Sequence, residues 1–472
     1  MTSKFFNRSM SSLFSRLIVA GAAVLLSCIV PSTRAETFST AGGTLNWTNT
    51  TSWVEGTVPN AISATAIFNS PVANTTASLV GSTAGGGITV GSLTFNNTTA
   101  TTIGIANGTA GGPLIFDNGG TGAIITTGGA GTGNNTISAT SRFDDSVTAT
   151  VNNTTATSSA GSLNMTGAIS GSGGFTKAGD GTATFGTAAK TYTGATVLNG
   201  GRMRISALAA PTATSSFTIN SGGQLDIITA AAGALSLGTG NLNLNGDGPT
   251  TGPTAAFKGA IRNDTSVVAT INNATVLQSD TLLHVQGLSG SLTFTNTISG
   301  PGKLTLTAPG SDANQGQLVL NGLNTYAGGT LVSGGTLVVN GTSATLGTGN
   351  VTVDNTLSPL SIAKLTLASG VVNAIADTAT LSLAGGGTAG VADQGFADLG
   401  AGINEIVGGL VLGGLDQVSG TYGSTTSTAT FQNNEFFNGA GIITVVPVPE
   451  PSVFALTMVG GVIGLFVLRR KR

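Results

Sequence analysis

The stretch YTGATVLNGGRMRI at residues 192–205 decides the fold, because it recurs as YAGGTLVSGGTLVV at residues 326–339. The Tyr, the Thr four residues later and the paired Gly keep a constant offset of 134 positions. On both sides of the Gly pair apolar residues alternate with others, which is typical of short half-buried strands. Glycine can take positive φ where a strand must turn a corner. Repetition of such a unit predicts a protein built of stacked coils.

The residues that precede each copy are also alike. The sequence ISGSGGFTK begins at residue 169 and ISGPGKLTL begins at residue 298. The two units, about 169–205 and 298–339, resemble the autotransporter-associated β-strand repeat. We assign Lys177 and Lys303 to one repeat position, which indicates a structural role, such as covering a turn with the aliphatic stem. Tyr192 and Tyr326 are interpreted as packing residues at a corner, although a sugar-stacking platform is an alternative.

The predicted fold is all-β, an elongated parallel β-helix (β-solenoid) over residues 36–398. Leu331, Leu337 and Val339 are expected to point inward and to stack on equivalent residues of the next coil. An exposed last coil would pair with other strand edges, so caps are expected at both ends. The two tryptophans, Trp47 and Trp53, mark the amino-terminal candidate. Residues 399–446 resemble a carboxy-terminal module of such repeat proteins and are predicted to form the last coils and cap.

Charged residues are scarce in the body of the chain and concentrated at its ends. Residues 36–446 contain nine Lys and Arg against 18 Asp and Glu. A body with so few cations is unsuited to the phosphate backbone, so nucleic acid is not an expected partner. The chain is nevertheless 40% apolar, which is too much for intrinsic disorder.

The first 35 residues have the organisation of a secretory signal peptide. Lys4, Arg8 and Arg16 precede the apolar stretch 17–30, which predicts a signal helix. Small residues before the junction predict cleavage between Ala35 and Glu36. A lipobox-like sequence that ends at Cys28 offers lipidation as an alternative. Cleavage after Ala35 would remove the single cysteine and leave a mature chain without thiol or disulfide chemistry.

The last 26 residues, 447–472, combine three unlike features. A proline-rich motif comes first, then an apolar run over 453–468 that is long enough for a single short transmembrane helix, and then four cations. The cations keep that end in the cytoplasm, so the body lies across the membrane. The motif consists of Val448, Pro449, Glu450 and Pro451, and the basic stop consists of Arg469, Arg470, Lys471 and Arg472.

This tail resembles the PEP-CTERM sorting signal of Gram-negative-type bacteria. The resemblance implies that a membrane exosortase processes the chain near the motif and releases the body to the outside. A permanent tail anchor has the same orientation and is the alternative. The partners implied are the secretion machinery, the exosortase, the inner membrane through the carboxy-terminal helix, and extracellular polysaccharide.

Residues suited to catalysis or metal binding are sparse. His284, the single histidine, alternates with apolar neighbours, so we expect it on the solvated face of a strand. Asp144 and Asp145 form an adjacent acidic pair, which a solvated turn explains better than a weak calcium site. No cofactor, metal or catalytic residue is predicted.

The sequence therefore predicts an exported, non-enzymatic, adhesin-like protein of the cell surface or extracellular matrix. It would be anchored transiently in the inner membrane with a cytoplasmic carboxyl terminus. The alternative is a carbohydrate-binding or polysaccharide-lyase-like β-helix protein, which would gather several carboxylates and a basic residue on one face.

Overall fold

Short strands separated by glycine-rich corners account for most of the described chain. The computed structural model describes residues 34–82, 86–128, 133–152, 162–206, 209–228, 233–252, 254, 258–263, 267–286, 290–309 and 316–446. The chain divides into the units Met1–Arg34 and Ala35–Arg472, and all of the described strands belong to the second unit.

The strands are β1 (Ala35–Phe38), β2 (Gly43–Asn46), β3 (Thr65–Asn69), β4 (Thr75–Ser78), β5 (Ile88–Val90), β6 (Ser92–Asn96), β7 (Ile103–Ala106), β8 (Leu114–Phe116), β9 (Ala123–Gly128), β10 (Asn135–Ile137), β11 (Ser141–Phe143), β12 (Val147–Val151), β13 (Leu163–Met165), β14 (Ile169–Gly171), β15 (Phe175–Ala178), β16 (Thr182–Phe185), β17 (Thr196–Leu198), β18 (Gly201–Ile205), β19 (Phe217–Ile219), β20 (Gly223–Ile227), β21 (Gly233–Leu235), β22 (Leu242–Gly246), β23 (Ile261–Asn263), β24 (Val268–Ile271), β25 (Thr275–Val285), β26 (Ser291–Phe294), β27 (Ile298–Ser299), β28 (Leu304–Thr307), β29 (Gln317–Leu320), β30 (Thr330–Val332), β31 (Gly335–Val339), β32 (Val351–Val353), β33 (Ala363–Leu367), β34 (Thr380–Leu383), β35 (Phe396–Leu399), β36 (Asn404–Val407), β37 (Gly409–Leu412), β38 (Leu415–Asp416), β39 (Gly420–Gly423), β40 (Phe431–Gln432), β41 (Phe437–Asn438) and β42 (Ile442–Val445). A 3₁₀ helix spans Thr50–Ser52.

The strands stack in parallel into three faces of a β-solenoid, which confirms the predicted β-helical body. The first face runs β1, β3, β6, β9, β12, β15, β17, β19, β22, β25, β27. The second face runs β2, β4, β7, β10, β13, β16, β18, β20, β23, β25, β28, β30, β32, β34, β37. The third face runs β5, β8, β11, β14 and then β21, β24, β26, β29, β31, β33, β35, β41.

Coil length varies because insertions are carried at the corners. The coil from Thr196 to its stacked partner Phe217 takes 21 residues, whereas the coil from Leu225 to Ile261 takes 36. Single bridges of Lys190 to Ile169 and to Pro211 continue the third face beyond β14. The long strand β25 turns one corner without a break and contributes to both the first and the second face.

Alternation along each strand fills the interior with apolar side chains. Leu337 and Val339 are fully buried and stack on residues of β29 and β33, as predicted. The prediction for Leu331 is wrong, because the inward positions of β30 belong to Thr330 and Val332. A strand has a side-chain period of two, so placing Thr330 inward forces Leu331 outward.

The inward threonine is explained by the tyrosine of the repeat. Tyr192 and Tyr326 are both fully buried, and each hydroxyl lies 2.7 Å from the hydroxyl of the threonine four residues later. A buried phenol needs a hydrogen-bond partner, and Thr196 and Thr330 supply it inside the coil. Tyr192 and Tyr326 are therefore corner packing residues whose hydroxyls determine which side of the next strand faces the core.

The two repeat copies occupy different faces of the solenoid. Thr191 and Thr193 donate backbone hydrogen bonds to β14 on the third face, whereas Thr325 and Ala327 donate the equivalent bonds to β27 on the first face. The strands after the tyrosine are accordingly β17 and β18 in one copy and β30 and β31 in the other. The second copy is thus shifted by one face, because all three faces accept the same short alternating strands.

Glycine is required at two kinds of position in this repeat. Gly201 and Gly335 turn the corner before the last strand at φ of +62° and +81°. Gly194 and Gly328 have no room for a side chain, since a Cβ there would collide with the backbone of the coil beneath. The paired and single glycines of the motif thus have separate causes, backbone conformation and close approach.

The amino-terminal edge is covered by the tryptophan segment. Trp53 forms an antiparallel bridge with Phe38 on the side of β1 opposite to β3. Trp47 and Trp53 are buried, and their indole N–H groups donate to the carbonyls of Pro59 and Trp47 at 3.1 and 2.8 Å. This arrangement protects the edge of the first strand from pairing with another chain.

The carboxy-terminal residues depart from the parallel pattern. Strand β42 pairs in parallel with β36 and antiparallel with β39, and β37 turns back into β38 as an antiparallel hairpin. Glu405 is 1% exposed, and its carboxylate accepts hydrogen bonds from the backbone N–H of Ala374 at 3.0 Å and of Ile375 at 2.6 Å. Burial raises the pKa of Glu405, although these two donors oppose the shift.

The predicted membrane elements lie outside the described residues. Neither the signal helix within residues 1–33 nor the transmembrane helix of the tail 447–472 is described. Within the described ranges no helix is long and apolar enough to cross a membrane. Ala35 and Glu36, the predicted cleavage pair, lie in β1 opposite Thr65 and Ala66.

Replacing Glu405 by Gln tests the carboxy-terminal cap. The amide offers one acceptor instead of two and directs a donor at a backbone N–H, so we expect a loss of about 1–3 kcal/mol in the free energy of unfolding. Amide hydrogen exchange at Ala374 and Ile375 should become faster. The control Glu435→Gln alters a partly exposed carboxylate that accepts one bond from Gly390 at 3.2 Å, and it should have little effect. Equal exchange in both variants would contradict the capping role.

Candidate functional site

A row of polar side chains crosses the outer side of the second face. Met203, Leu225, Ile261, Leu283 and Leu306 alternate with the row members and fill the core. Strand register places one row member in each of five consecutive coils. Stacked strands are about 4.8 Å apart, so these side chains are direct neighbours. The polar row consists of Arg204, Asp226, Arg262, His284 and Thr307.

Two inserted segments cover this part of the outer surface. The first segment is residues 247–258, of which 253 and 255–257 are not described. A hydrogen bond of 2.9 Å from the Thr254 hydroxyl to the carbonyl of Asp180 anchors it. Residues 354–361 approach from the other side, where the Ser361 hydroxyl donates to the carbonyl of Ala308 at 2.9 Å. Side chains that point away from the core are therefore buried, including Arg202 at 1% and Asp226 at 0% exposure.

Asp226 is the centre of the charge cluster. Its carboxylate accepts a hydrogen bond from Arg202, whose side chain also faces outward. Arg262 Nη1 donates to Oδ1 at 2.8 Å, and Arg204 Nε donates to Oδ2 at 3.3 Å. Three guanidinium groups thus share one carboxylate. Burial lowers the pKa of Arg202, an effect that Asp226 opposes and that Arg204 and Arg262 reinforce.

His284 follows Arg262 in the row and is mostly shielded from solvent. Its Nδ1 lies 3.0 Å from the Thr307 hydroxyl. Burial, with smaller contributions from the positive charges of Arg262 and Lys258, lowers the pKa of His284 to about 4. The prediction that His284 lies on the outward side of a strand is confirmed, but the expected solvation is wrong because the inserted segments cover it.

Lys177 has a structural role, as predicted, but its amine rather than its aliphatic stem performs it. Its side chain is fully buried, and Nζ donates to the carbonyls of Ala178, Gly179 and Gly200 at 2.9, 2.7 and 2.9 Å. Three acceptors match the three donors of an ammonium group. Burial lowers the pKa of Lys177 to about 7, and Asp180 opposes this shift. The amine therefore satisfies carbonyls at a corner, whereas the prediction had the stem cover a turn.

The predicted equivalence of Lys177 and Lys303 is also wrong. Lys303 lies before β28, its side chain is 39% exposed, and its Nζ is 3.8 Å from Asp280. The residue of the second copy that corresponds to Lys177 is Leu306, which faces the core. There the Ser361 hydroxyl bonds the carbonyl of Ala308, the counterpart of Gly179. A different donor thus serves the same corner.

Other buried polar side chains also bond backbone groups at corners. Lys190 Nζ donates to the carbonyls of Gly167 and Gly186 at 3.0 and 3.2 Å and also to that of Ala188, and burial lowers its pKa to about 8. Asn273 accepts a bond from the N–H of Leu237 and donates to the carbonyl of Gly240, both at 2.9 Å. These groups are structural, because the partners they satisfy are main-chain atoms.

The acidic pair does not act as a unit. Asp144 holds Arg142 through two bonds of 2.7 Å, whereas Asp145 accepts bonds from the N–H groups of Asn118 and Gly120 at 2.6 and 2.9 Å. Across the described ranges no three His, Cys, Asp or Glu residues come together as metal ligands. The predicted sorting residues, from Val448 to Pro451 and from Arg469 to Arg472, lie outside the described residues.

The polar row is the feature that the sequence analysis missed. Its first member, Arg204, lies in a strand of the repeat, and the others are spread over the next hundred positions. Basic residues concentrated in 202–262 were the available signal, since four of the nine cations of the body lie there. Their assembly depends on coil lengths, which the sequence pattern leaves open.

Replacing Lys177 by Met tests the corner role of the buried amine. Three carbonyls would lose their donor, so we expect the free energy of unfolding to fall by about 1–3 kcal/mol. Lys303→Met removes a half-exposed ion pair and should cost less than about 1 kcal/mol. Urea denaturation of both variants makes the comparison. Equal midpoints would contradict the structural role of Lys177.

The pH dependence of stability tests the environment of His284. The folded-state pKa of about 4 lies below the ordinary value of 6.5, so the unfolded chain binds the proton first as the pH falls. The wild type should therefore lose stability relative to His284→Gln between about pH 6.5 and pH 4. Urea denaturation of both proteins from pH 8 to pH 4 measures the difference between their free energies of unfolding. Carboxylate titrations are common to the two proteins and cancel in this difference. A difference that stays constant with pH would contradict the burial of a neutral imidazole.

Comparison with known proteins supports the repeat architecture. Residues 175–205 and 313–339 match the family model of the passenger-associated-transport-repeat. The first match covers β15 to β18, and the second covers the described strands β29 to β31. No curated protein and no solved structure matches the chain. The chain therefore contains two repeats similar to those of passenger-type, surface-associated β-helical proteins.

Proposed function

We propose that the chain is an exported, non-enzymatic structural protein of the cell surface or extracellular matrix, with an adhesin-like role. The observation that carries this proposal is the two passenger-associated-transport-repeat matches, which lie within one continuous stack of parallel coils. The body presents outward Thr and Asn side chains, and successive coils are joined by backbone bonds along three faces. Such a body supplies a long polar surface without mobile domains.

The contacts of the described buried polar groups support the non-enzymatic part of this proposal. Lys177, Lys190 and Glu405 bond main-chain atoms, and Asp226 is shared by three arginines. His284 bonds a threonine hydroxyl, without an acidic orienter among its described contacts. A general base with a positioned nucleophile would need a different arrangement.

The two ends of the chain supply the proposed route. The signal peptide 1–35 directs the chain to the secretion machinery, and the tail 447–472 holds it in the inner membrane with a cytoplasmic terminus. A membrane exosortase then processes the chain near the motif 448–451 and releases the body. The body meets extracellular polysaccharide only after this step.

The position of the proposed cleavage site in the fold supports one order of events at the amino terminus. The bond between Ala35 and Glu36 lies within β1, and the Glu36 side chain is 3% exposed. A protease needs an accessible, extended segment, so cleavage at this bond precedes the formation of the first coil.

Replacing Glu450 by Gln and Pro451 by Ala tests the sorting proposal. In the native host we expect the processed, released form to be lost and the full-length chain to accumulate in the inner membrane. Membrane fractionation followed by immunoblotting with an antibody against the body measures the mass and the location of the protein. The matched control Glu435→Gln changes a carboxylate in the carboxy-terminal cap and should be processed normally. Unchanged processing of the motif variant would show that the tail is a permanent anchor.

A further inference from the structure

A cleft opens beside the polar row, between the two inserted segments. It encloses about 290 Å³, close to the lower end of ligand pockets at about 300 Å³. Its polar lining includes Asp247, Lys258, His284 and Thr307, and its apolar lining includes Leu282 and Leu357. The cleft is therefore large enough for a group of about one sugar ring, and it offers that group both polar and apolar contacts.

The charges that surround the cleft are predominantly positive. Arg262 adjoins His284 in the row, and Lys258 lies in the wall. Arg262, Arg202 and Arg204 share the single carboxylate of Asp226. Asp247 is the acidic residue of the cleft lining. Among the described residues, the cleft wall and the adjoining charge cluster together contain these four cations and two anions. Burial is the main cause of the lowered pKa of His284, and the positive charges of Arg262 and Lys258 add to it.

The polar and apolar walls together specify the chemistry of the occupant. Leu282 and Leu357 can pack against the C–H face of a pyranose ring, which a small inorganic anion would leave uncovered. The hydroxyl of Thr307 and the carboxylate of Asp247 suit sugar hydroxyl groups. An ammonium group near a positively charged row suits a carboxylate.

We propose that this cleft binds a uronate residue of an acidic polysaccharide, with Lys258 facing the carboxylate and Leu282 and Leu357 the sugar ring. The inference deepens the proposed function, on which it rests for the supply of the ligand outside the cell. The residues that line the cleft lie between positions 247 and 358, so none of them belongs to the tail 447–472. Binding and sorting can therefore fail separately.

The single histidine makes the site directly observable. The chain contains one His, so isotope-labelled histidine gives one set of imidazole signals, and these come from the cleft. The full-length protein in detergent is titrated with D-galacturonate and D-glucuronate, and in parallel with D-galactose and with acetate. We expect saturable shifts of the His284 signals with a uronate, and at least about tenfold weaker binding of the neutral sugar and of acetate.

Two variants separate binding from folding. Lys258→Gln removes the wall cation and should weaken uronate binding by at least about tenfold. Lys364→Gln removes the same charge on the third face, where Lys364 pairs with Asp398 at 2.7 Å, and should leave the affinity unchanged. Unfolding curves confirm that both variants remain folded.

Each of the remaining outcomes would overturn the inference. Uronates that leave the imidazole signals unshifted would show that the cleft is not their site. Equal binding of acetate would reduce it to an unspecific anion site. Progressive conversion of an added oligogalacturonate into unsaturated products would replace a binding site by a lyase. None of these results alters the processing of the tail, so the sorting proposal is tested apart from them.

Discussion

The structure depends on one constraint: each coil can satisfy its backbone N–H and C=O groups only through the coils on either side. Parallel strands meet this requirement along the faces, but at the corners carbonyls are left over. Side chains complete the bonding there. Lys177 donates hydrogen bonds to three corner carbonyls, and Asn273 accepts a hydrogen bond from the N–H of Leu237. The carboxylate of Glu405 accepts hydrogen bonds from the N–H groups of Ala374 and Ile375 near the last coil. The polar residues of the interior are thus part of the backbone ladder.

The same constraint explains how much the sequence predicts. The alternation of strands and the corner glycines are local, so the coil architecture and the inward Leu337 follow from the repeat itself. Leu331 does not, because its direction depends on a bond between Tyr326 and Thr330 that overrides hydrophobicity. The correspondence of Lys177 with Lys303 failed for a related reason. One corner is satisfied by a lysine and its counterpart by Ser361, which lies far along the chain.

The polar row could not be predicted from the sequence pattern. Consecutive members are separated by 22, 36, 22 and 23 positions, and the long interval includes the insertion 247–258. Only the register of the coils makes Asp226 a neighbour of Arg262 and His284. The insertion that lengthens the coil also buries the row, which turns an outer surface into a lined cleft. The proposed functional surface of the body therefore arises where the repeat is least regular.

Engineered cysteine pairs test the coil register most directly. In the full chain with Cys28→Ser, Thr270→Cys and Thr293→Cys would face outward on stacked strands of adjacent coils, about 4.8 Å apart and within disulfide range. The pair Thr270→Cys and Val319→Cys spans two coils, at roughly twice that distance and beyond the limit of about 7 Å. Under mild oxidation, with products identified by mass spectrometry, the stack predicts an intramolecular disulfide in the first pair alone. A crosslink in the second pair, or its absence in the first, would contradict the solenoid.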